Sequence, residues 1–206
     1  MKMHIKICGI TTLKVAKAAE EAGADFIGFV FAPSSRNIRP SDAAKIANTL
    51  SPNIQKVGVF VNESLEEMER IANIVGLDMI QLHGDEPEEI AKQLSYPVIK
   101  AFSIDKVKPE KITTYPCEYL LIDSPGEAYR GGSGKTFSWE LLDELQIPRD
   151  KLILAGGLTP TNIQQAIQQV RPVGVDVSSG VETNGQKDIK KIQTFINNAK
   201  QIERLN

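Results

Sequence analysis

The chain has 206 residues, enough for one substantial core and most simply one domain over residues 1–206. It is 41% hydrophobic and 24% charged with a formal net charge of −2, a balance that gives no reason to expect nucleic acid or an anionic membrane as partner. Two cysteines, Cys8 and Cys117, match no metal-binding spacing, no apolar run approaches the ~20 residues of a membrane helix, and no secretory segment follows Met1, so a reducing cytoplasm with free thiols is the expected setting.

The predicted elements alternate along the chain. "HIKICGI" (4–10) reads as a strand, and the next segment crowds Leu13, Val15, Ala16 and Ala19 toward one side at helical spacing, with Gly23 as a stop. "DFIGFVF" (25–31) precedes a helix opening at Ser41-Asp42, and "QKVGVFV" (55–61) precedes one from Ser64 to Val75. "DMIQLH" (78–83) leads into "EPEEIAKQL", and "YPVIKAFSI" (96–104) into a weaker segment interrupted by proline. "CEYLLIDS" (117–124) is followed by a glycine-rich loop and "SWELLDEL". "KLILAGG" (151–157) and "PVGVDVSSG" (172–180) each lead into a further helical segment.

That makes eight strands and eight helices, repeating about every 25 residues. Strands rich in Val, Ile and Leu with weak polar alternation suit a parallel sheet covered on both faces. Eight such units predict a single-domain α/β fold, the (β/α)8 TIM barrel. The alternative is an open doubly wound sheet, which usually has fewer strands.

In such a barrel, chemistry sits at the C-terminal ends of the strands. Those ends carry Cys8, then Ser34-Ser35-Arg36, Asn62, His83, Ser103 with Asp105, Asp123, Gly156-Gly157, and Asp176 with Ser178-Ser179-Gly180. "AGGLTP" and "DVSSGVE" place small residues where the last two loops leave the barrel, the composition of a phosphate cradle built from backbone N–H groups. The plain alternative is that Gly157 and Gly180 only make tight turns. "RGGSGKT" (130–136) ends like a P-loop, but the required glycine is replaced by Tyr129. A loop that folds over a ligand, with Gly131, Gly132, Gly134 and Lys135, is the better account, and a plain surface loop is the alternative.

A buried cysteine is commonly a core residue. Cys8, however, ends strand 1 at the chemical end, and Lys6 shares its strand face, where it could favour a thiolate. With Asp123 on strand 6, it would flank a small molecule as one half of a base–acid pair. His83 reads as a hydrogen-bonding wall or as a substitute proton carrier.

Several blocks then resemble one family over the whole chain, in order: "KICGIT" (6–11), "GFVFAPSSRNI" (28–38), "GVFVNE" (58–63), "QLHGDE" (81–86), "LIDS" (121–124), "GGSGKTFSW" (131–139), "AGGL" (155–158) and "DVSSGVE" (176–182). They resemble the phosphoribosylanthranilate isomerases of tryptophan biosynthesis. The resemblance implies an Amadori rearrangement of N-(5-phosphoribosyl)anthranilate to the 1-deoxyribulose 5-phosphate product, with no cofactor and no metal. It implies Cys8 as general base, Asp123 as general acid and Arg36 as the cation for the anthranilate carboxylate. The phosphate would lie on Gly156-Gly157 and Ser179-Gly180, and Asp176 occupies a position common to the family; His83 and Gly132, from their places in the chain, complete the expected substrate contacts with it. Asp123 must then hold a proton near neutral pH while Cys8 loses one.

The visible departure from the family is "SPGEAYR" (124–130). The expected partner is a small phosphorylated molecule, with no nucleic acid and no membrane, and the chain is expected as monomer or homodimer. Rival readings are an indole-glycerol-phosphate synthase, a pentose-phosphate epimerase, a noncatalytic phosphosugar binder and a thiol redox protein. The epimerase needs metal-binding histidines, and this chain has only His4 and His83. The redox protein needs a CxxC pair, which is lacking.

Overall fold

The computed structural model describes residues 3–106, 112, 114–124, 138–145 and 147–203. Eight parallel strands, β1 (His4–Cys8), β2 (Phe26–Val30), β3 (Gln55–Phe60), β4 (Met79–Leu82), β5 (Val98–Ser103), β6 (Tyr119–Asp123), β7 (Leu152–Leu154) and β8 (Gly174–Val177), close into a barrel in chain order. The ring closes where β1 pairs with β8, with Lys6 opposite Asp176. That pairing excludes the open doubly wound sheet.

Around it run α1 (Leu13–Ala22), α2 (Pro40–Ala47), α3 (Leu65–Val75), α4 (Glu88–Gln93), α5 (Leu141–Glu144), α6 (Ile163–Val170) and α7 (Ile189–Glu203). The helix expected after strand 5 falls largely on residues outside those described. So does the glycine-rich loop with Gly131, Gly132, Gly134 and Lys135.

Local chemistry explains the helix limits. The Ser64 side chain caps α3 by accepting from the Glu67 N–H, and Glu66 and Glu67 place negative charge at its positive end. Gly76 ends it in the left-handed region at φ 69°. Between them Met68, Ile71, Ala72 and Val75 recur at helical spacing and are buried. α2 begins at Pro40, one residue before the expected Ser41-Asp42, because proline is preorganised for a first helical turn.

Strand alternation sorts side chains into two cores. Ile5, Ile7, Ile27, Phe29, Leu82 and Ile122 face the helices, while Phe26, Val57, Met79, Ile99, Leu121 and Ile153 fill the barrel. Each fully buried side chain of this kind stabilises the fold by roughly 1.5–3 kcal/mol. His4, Phe26 and Tyr119 pack in tilted and edge-to-face contacts at the N-terminal end, with ring centroids 5.2–6.1 Å apart, and close the barrel floor. No described helix is long and apolar enough to cross a membrane.

Two details depart from the expected elements. Strand 7 stops at Leu154 rather than running to Gly157, because Gly156 and Gly157 turn the chain at φ 81° and 63°. The chain after β8 is also more elaborate than a loop. A 3₁₀ turn (Ser179–Val181) runs into a hairpin of β9 (Glu182–Thr183) and β10 (Gln186–Lys187). Asn184 and Gly185 form its tip at φ 52° and 75°, the pair of positive angles that a type I′ turn requires.

Candidate active site

Above His4, β1 turns Lys6 and Cys8 inward, in register with Phe26 and Gly28 of β2. Lys6 is fully buried, and its Nζ lies 2.9 Å from Asp176 Oδ1 on β8. Burial draws the Lys6 pKa down, but the charge of Asp176, with Cys8 beside it, outweighs that and holds the ammonium above its usual range. Cys8 is 8% exposed. Burial pushes its thiol up, the Lys6 charge opposes this, Asp176 adds to it and Lys187 opposes it, and the balance is a raised pKa. The neighbouring lysine anticipated from strand parity is in place, yet desolvation outweighs it. Gly28 makes the room: a β-carbon there would lie 3.0 Å from Cys8 Sγ, 3.1 Å from Cys8 Cα and 3.2 Å from Lys6 Nζ.

Asp123 ends β6 on the same mouth of the barrel, also 8% exposed. Its Oδ1 accepts the Ser124 N–H at 2.8 Å, and its Oδ2 faces His83 Nε2 at 3.6 Å. His83 follows β4, where its Nδ1 lies 2.8 Å from Gln81 Nε2. The loop carrying His83 is pinned from below: the Glu86 carboxylate accepts the N–H groups of Asn62 and Gly84, and pairs with buried Lys100 at 2.7 Å. Gly156 lets the end of β7 lie directly against Ser124, since a β-carbon would overlap the Ser124 backbone.

Arg36, after β2, lays its stem against Gly9 and forms a two-pronged bond to Glu182, Nε to Oε1 at 2.7 Å and Nη2 to Oε2 at 2.9 Å. Its pKa is raised by that hydrogen bond. The hairpin returns Lys187 to the same carboxylate at 2.7 Å, with further bonds to Ser178 O and Oγ. Burial lowers the Lys187 pKa against the pull of Glu182. Glu182 itself is lowered: burial opposes ionisation, and the hydrogen bonds from Arg36 and Lys187 prevail. Arg36 and Lys187 therefore join Lys6 beside the cysteine, with the Glu182 carboxylate between the two of them.

The loops after β7 and β8 meet closely, because a β-carbon on Gly180 would overlap Leu158 O. Among the described residues, no backbone carbonyl takes the N–H of Gly157, Ser179 or Gly180. Those amides have the character of an anion cradle.

The structure thus gathers Cys8 with Arg36 and Asp176, and His83 with Asp123, and sets Gly156, Gly157, Ser179 and Gly180 on the two adjoining loops; Gly132 lies outside the described residues. Sequence reasoning missed Gln81, Gly28, Glu182 and Lys187. The Asn-Gly pair in "ETNGQK" was a hairpin signal that could have brought in Lys187. Among the described residues, no group of three or more His, Cys, Asp and Glu is placed to hold a metal ion.

A closed (β/α)8 barrel with titratable groups at the C-terminal mouth defines the class of barrel enzymes that work at that mouth. The family model described as N-(5′-phosphoribosyl)anthranilate (PRA) isomerase matches residues 5–198. An N-(5′-phosphoribosyl)anthranilate isomerase of Oceanobacillus iheyensis is 53% identical over 197 residues, covering 95% of this chain and 96% of that one. A crystal structure of phosphoribosyl anthranilate isomerase from Thermotoga maritima superposes with a TM-score of 0.85 at 43% identity, covering 97% and 99%. Another, in complex with reduced 1-(o-carboxyphenylamino)-1-deoxyribulose 5-phosphate, gives 0.82 at 41% identity, with the same coverage. The chain belongs to the N-(5′-phosphoribosyl)anthranilate isomerase family.

Proposed function

We propose that the chain converts N-(5′-phosphoribosyl)anthranilate to 1-(o-carboxyphenylamino)-1-deoxyribulose 5-phosphate, with Asp123 as general acid and Cys8 as general base. Asp123, protonated, gives its proton to the furanose ring oxygen as the C1–O bond breaks, leaving a Schiff base conjugated with the anthranilate ring. The Cys8 thiolate then takes the proton from C2. The resulting enolamine tautomerises to the ketone.

The observation that carries this reading is the shared mouth. A thiol and a carboxyl, each 8% exposed, face inward at the same ends of strands three places apart around the ring. That spacing leaves room for a small molecule between base and acid. Arg36, steadied by Glu182, offers its remaining nitrogen to the anthranilate carboxylate. The amides of Gly157, Ser179 and Gly180 hold the phosphate, with Gly156 as part of the same loop, and Asp176 acts through Lys6 beside the base. The chain acts on this small phosphorylated substrate in the cytoplasm, as a monomer or homodimer.

Purified protein in a coupled fluorescence assay, without added metal and with a chelator present, tests the activity. Loss of phosphoribosylanthranilate fluorescence at an enzyme-dependent rate is expected. No enzyme-dependent loss would refute the reading.

A further inference from the structure

We propose that Gln81 is a positioning residue that fixes the tautomer of His83 and thereby aims an Nε2–H at the carboxyl of Asp123. This rests on Asp123 being the general acid. Gln81 sits in the middle of β4, facing into the barrel beside Val59 and Ile99, and is 1% exposed. Its amide nitrogen, 2.8 Å from His83 Nδ1, is a donor only. Nδ1 must therefore present a lone pair, and a neutral ring that accepts there carries its proton on Nε2.

That proton points at the right oxygen. Asp123 Oδ1 is already engaged by the Ser124 N–H at 2.8 Å, so Oδ2 is the oxygen left to carry and release a proton. His83 Nε2 stands 3.6 Å from it, longer than a hydrogen bond and close enough to shorten as charge appears. When Asp123 gives up its proton, a donor aimed in advance stabilises the new carboxylate without waiting for reorganisation.

The other half of the amide makes this orientation consequential. Gln81 Oε1 is buried and, among the described residues, has no hydrogen-bond partner. Among the described residues, nothing bonded to Oε1 opposes the donation from Nε2 to Nδ1. Half a turn of the amide would present oxygen to Nδ1, move the ring proton there, and leave a lone pair facing the Asp123 carboxylate. A residue unable to donate at this position would lose the selection.

The test is nitrogen NMR on the ¹⁵N-labelled full chain, with His4→Asn used to assign the only other histidine. The wild type is expected to show a pyrrole-type shift at His83 Nε2 and a pyridine-type shift at Nδ1. Gln81→Met should mix the tautomers, and Gln81→Glu, an acceptor, should favour Nδ1–H. In both, kcat is expected to fall about tenfold with KM within about twofold, the scale of one misdirected hydrogen bond.

An Nδ1–H tautomer in the wild type would overturn the proposal without any variant having to fold. So would a Gln81→Met enzyme that keeps both the Nε2–H tautomer and full turnover while Asp123→Asn is crippled, which removes Gln81 but spares the acid. An Asp123→Asn enzyme near wild-type turnover would remove the acid itself, and this role with it.

Discussion

Cys8 carries opposing demands. A base must ionise, yet burial holds its thiol up, and Lys6 and Lys187 offset only part of that. An ordinary thiol titrates at roughly 8.5. Because the shift is upward and the thiolate is the working form, kcat/KM should climb with pH through a range above that value. Lys6→Met removes a cation and should push the rise higher still. The rate of Cys8 alkylation against pH, in a Cys117→Ser background, measures this directly. A profile that stays put or moves down in Lys6→Met would contradict the electrostatic account.

Some of these residues were legible. Cys8, His83 and Asp123 each have a plain explanation taken singly, and stood out because all three end apolar strands on the same side of the predicted barrel. Gln81 did not, since a glutamine inside a strand gives no sign of the atom it meets. Glu182 lies 146 residues from Arg36, and nothing local announces a pair formed over the seam where the ring closes.

Elements place these groups, and the loop after β4 is fastened by a buried ion pair. Lys100, on the outward face of β5, pairs with Glu86, with side chains 3% and 2% exposed, and also donates to Gly84 O. Its ammonium lies 5.6 and 5.5 Å from the rings of Phe102 and Tyr115. Lys100→Met would leave the Glu86 charge buried without its cation and should cost about 3–5 kcal/mol of stability. Urea unfolding measures it, and a loss below about 1 kcal/mol would mean that the Glu86 contacts with Asn62 and Gly84 suffice. Element boundaries were readable where capping chemistry is local, as at Ser64 and Gly76. They were misread at β7, where two adjacent glycines turn the chain before the apolar run ends. The β9–β10 hairpin was overlooked because its strands have only two residues each and no apolar alternation, leaving the Asn-Gly tip as the whole signal.

At the scale of the molecule, ring closure turns eight similar units into one site. The count of apolar runs made the barrel legible, because only a full ring gives every strand two neighbours and two covered faces. Closure sets Asp176 beside Lys6 across the β1–β8 seam, and it turns Cys8 and Asp123 toward one mouth. The distance from residue 8 to residue 123 along the chain is irrelevant to that meeting.

The central claim is that these two groups work as base and acid across the mouth. Steady-state turnover of Cys8→Ser and Asp123→Asn, in the chelator-treated fluorescence assay, tests it most directly. Each variant should lose ~10²-fold or more in kcat while folding normally. Turnover within a few-fold of wild type in either would contradict the account.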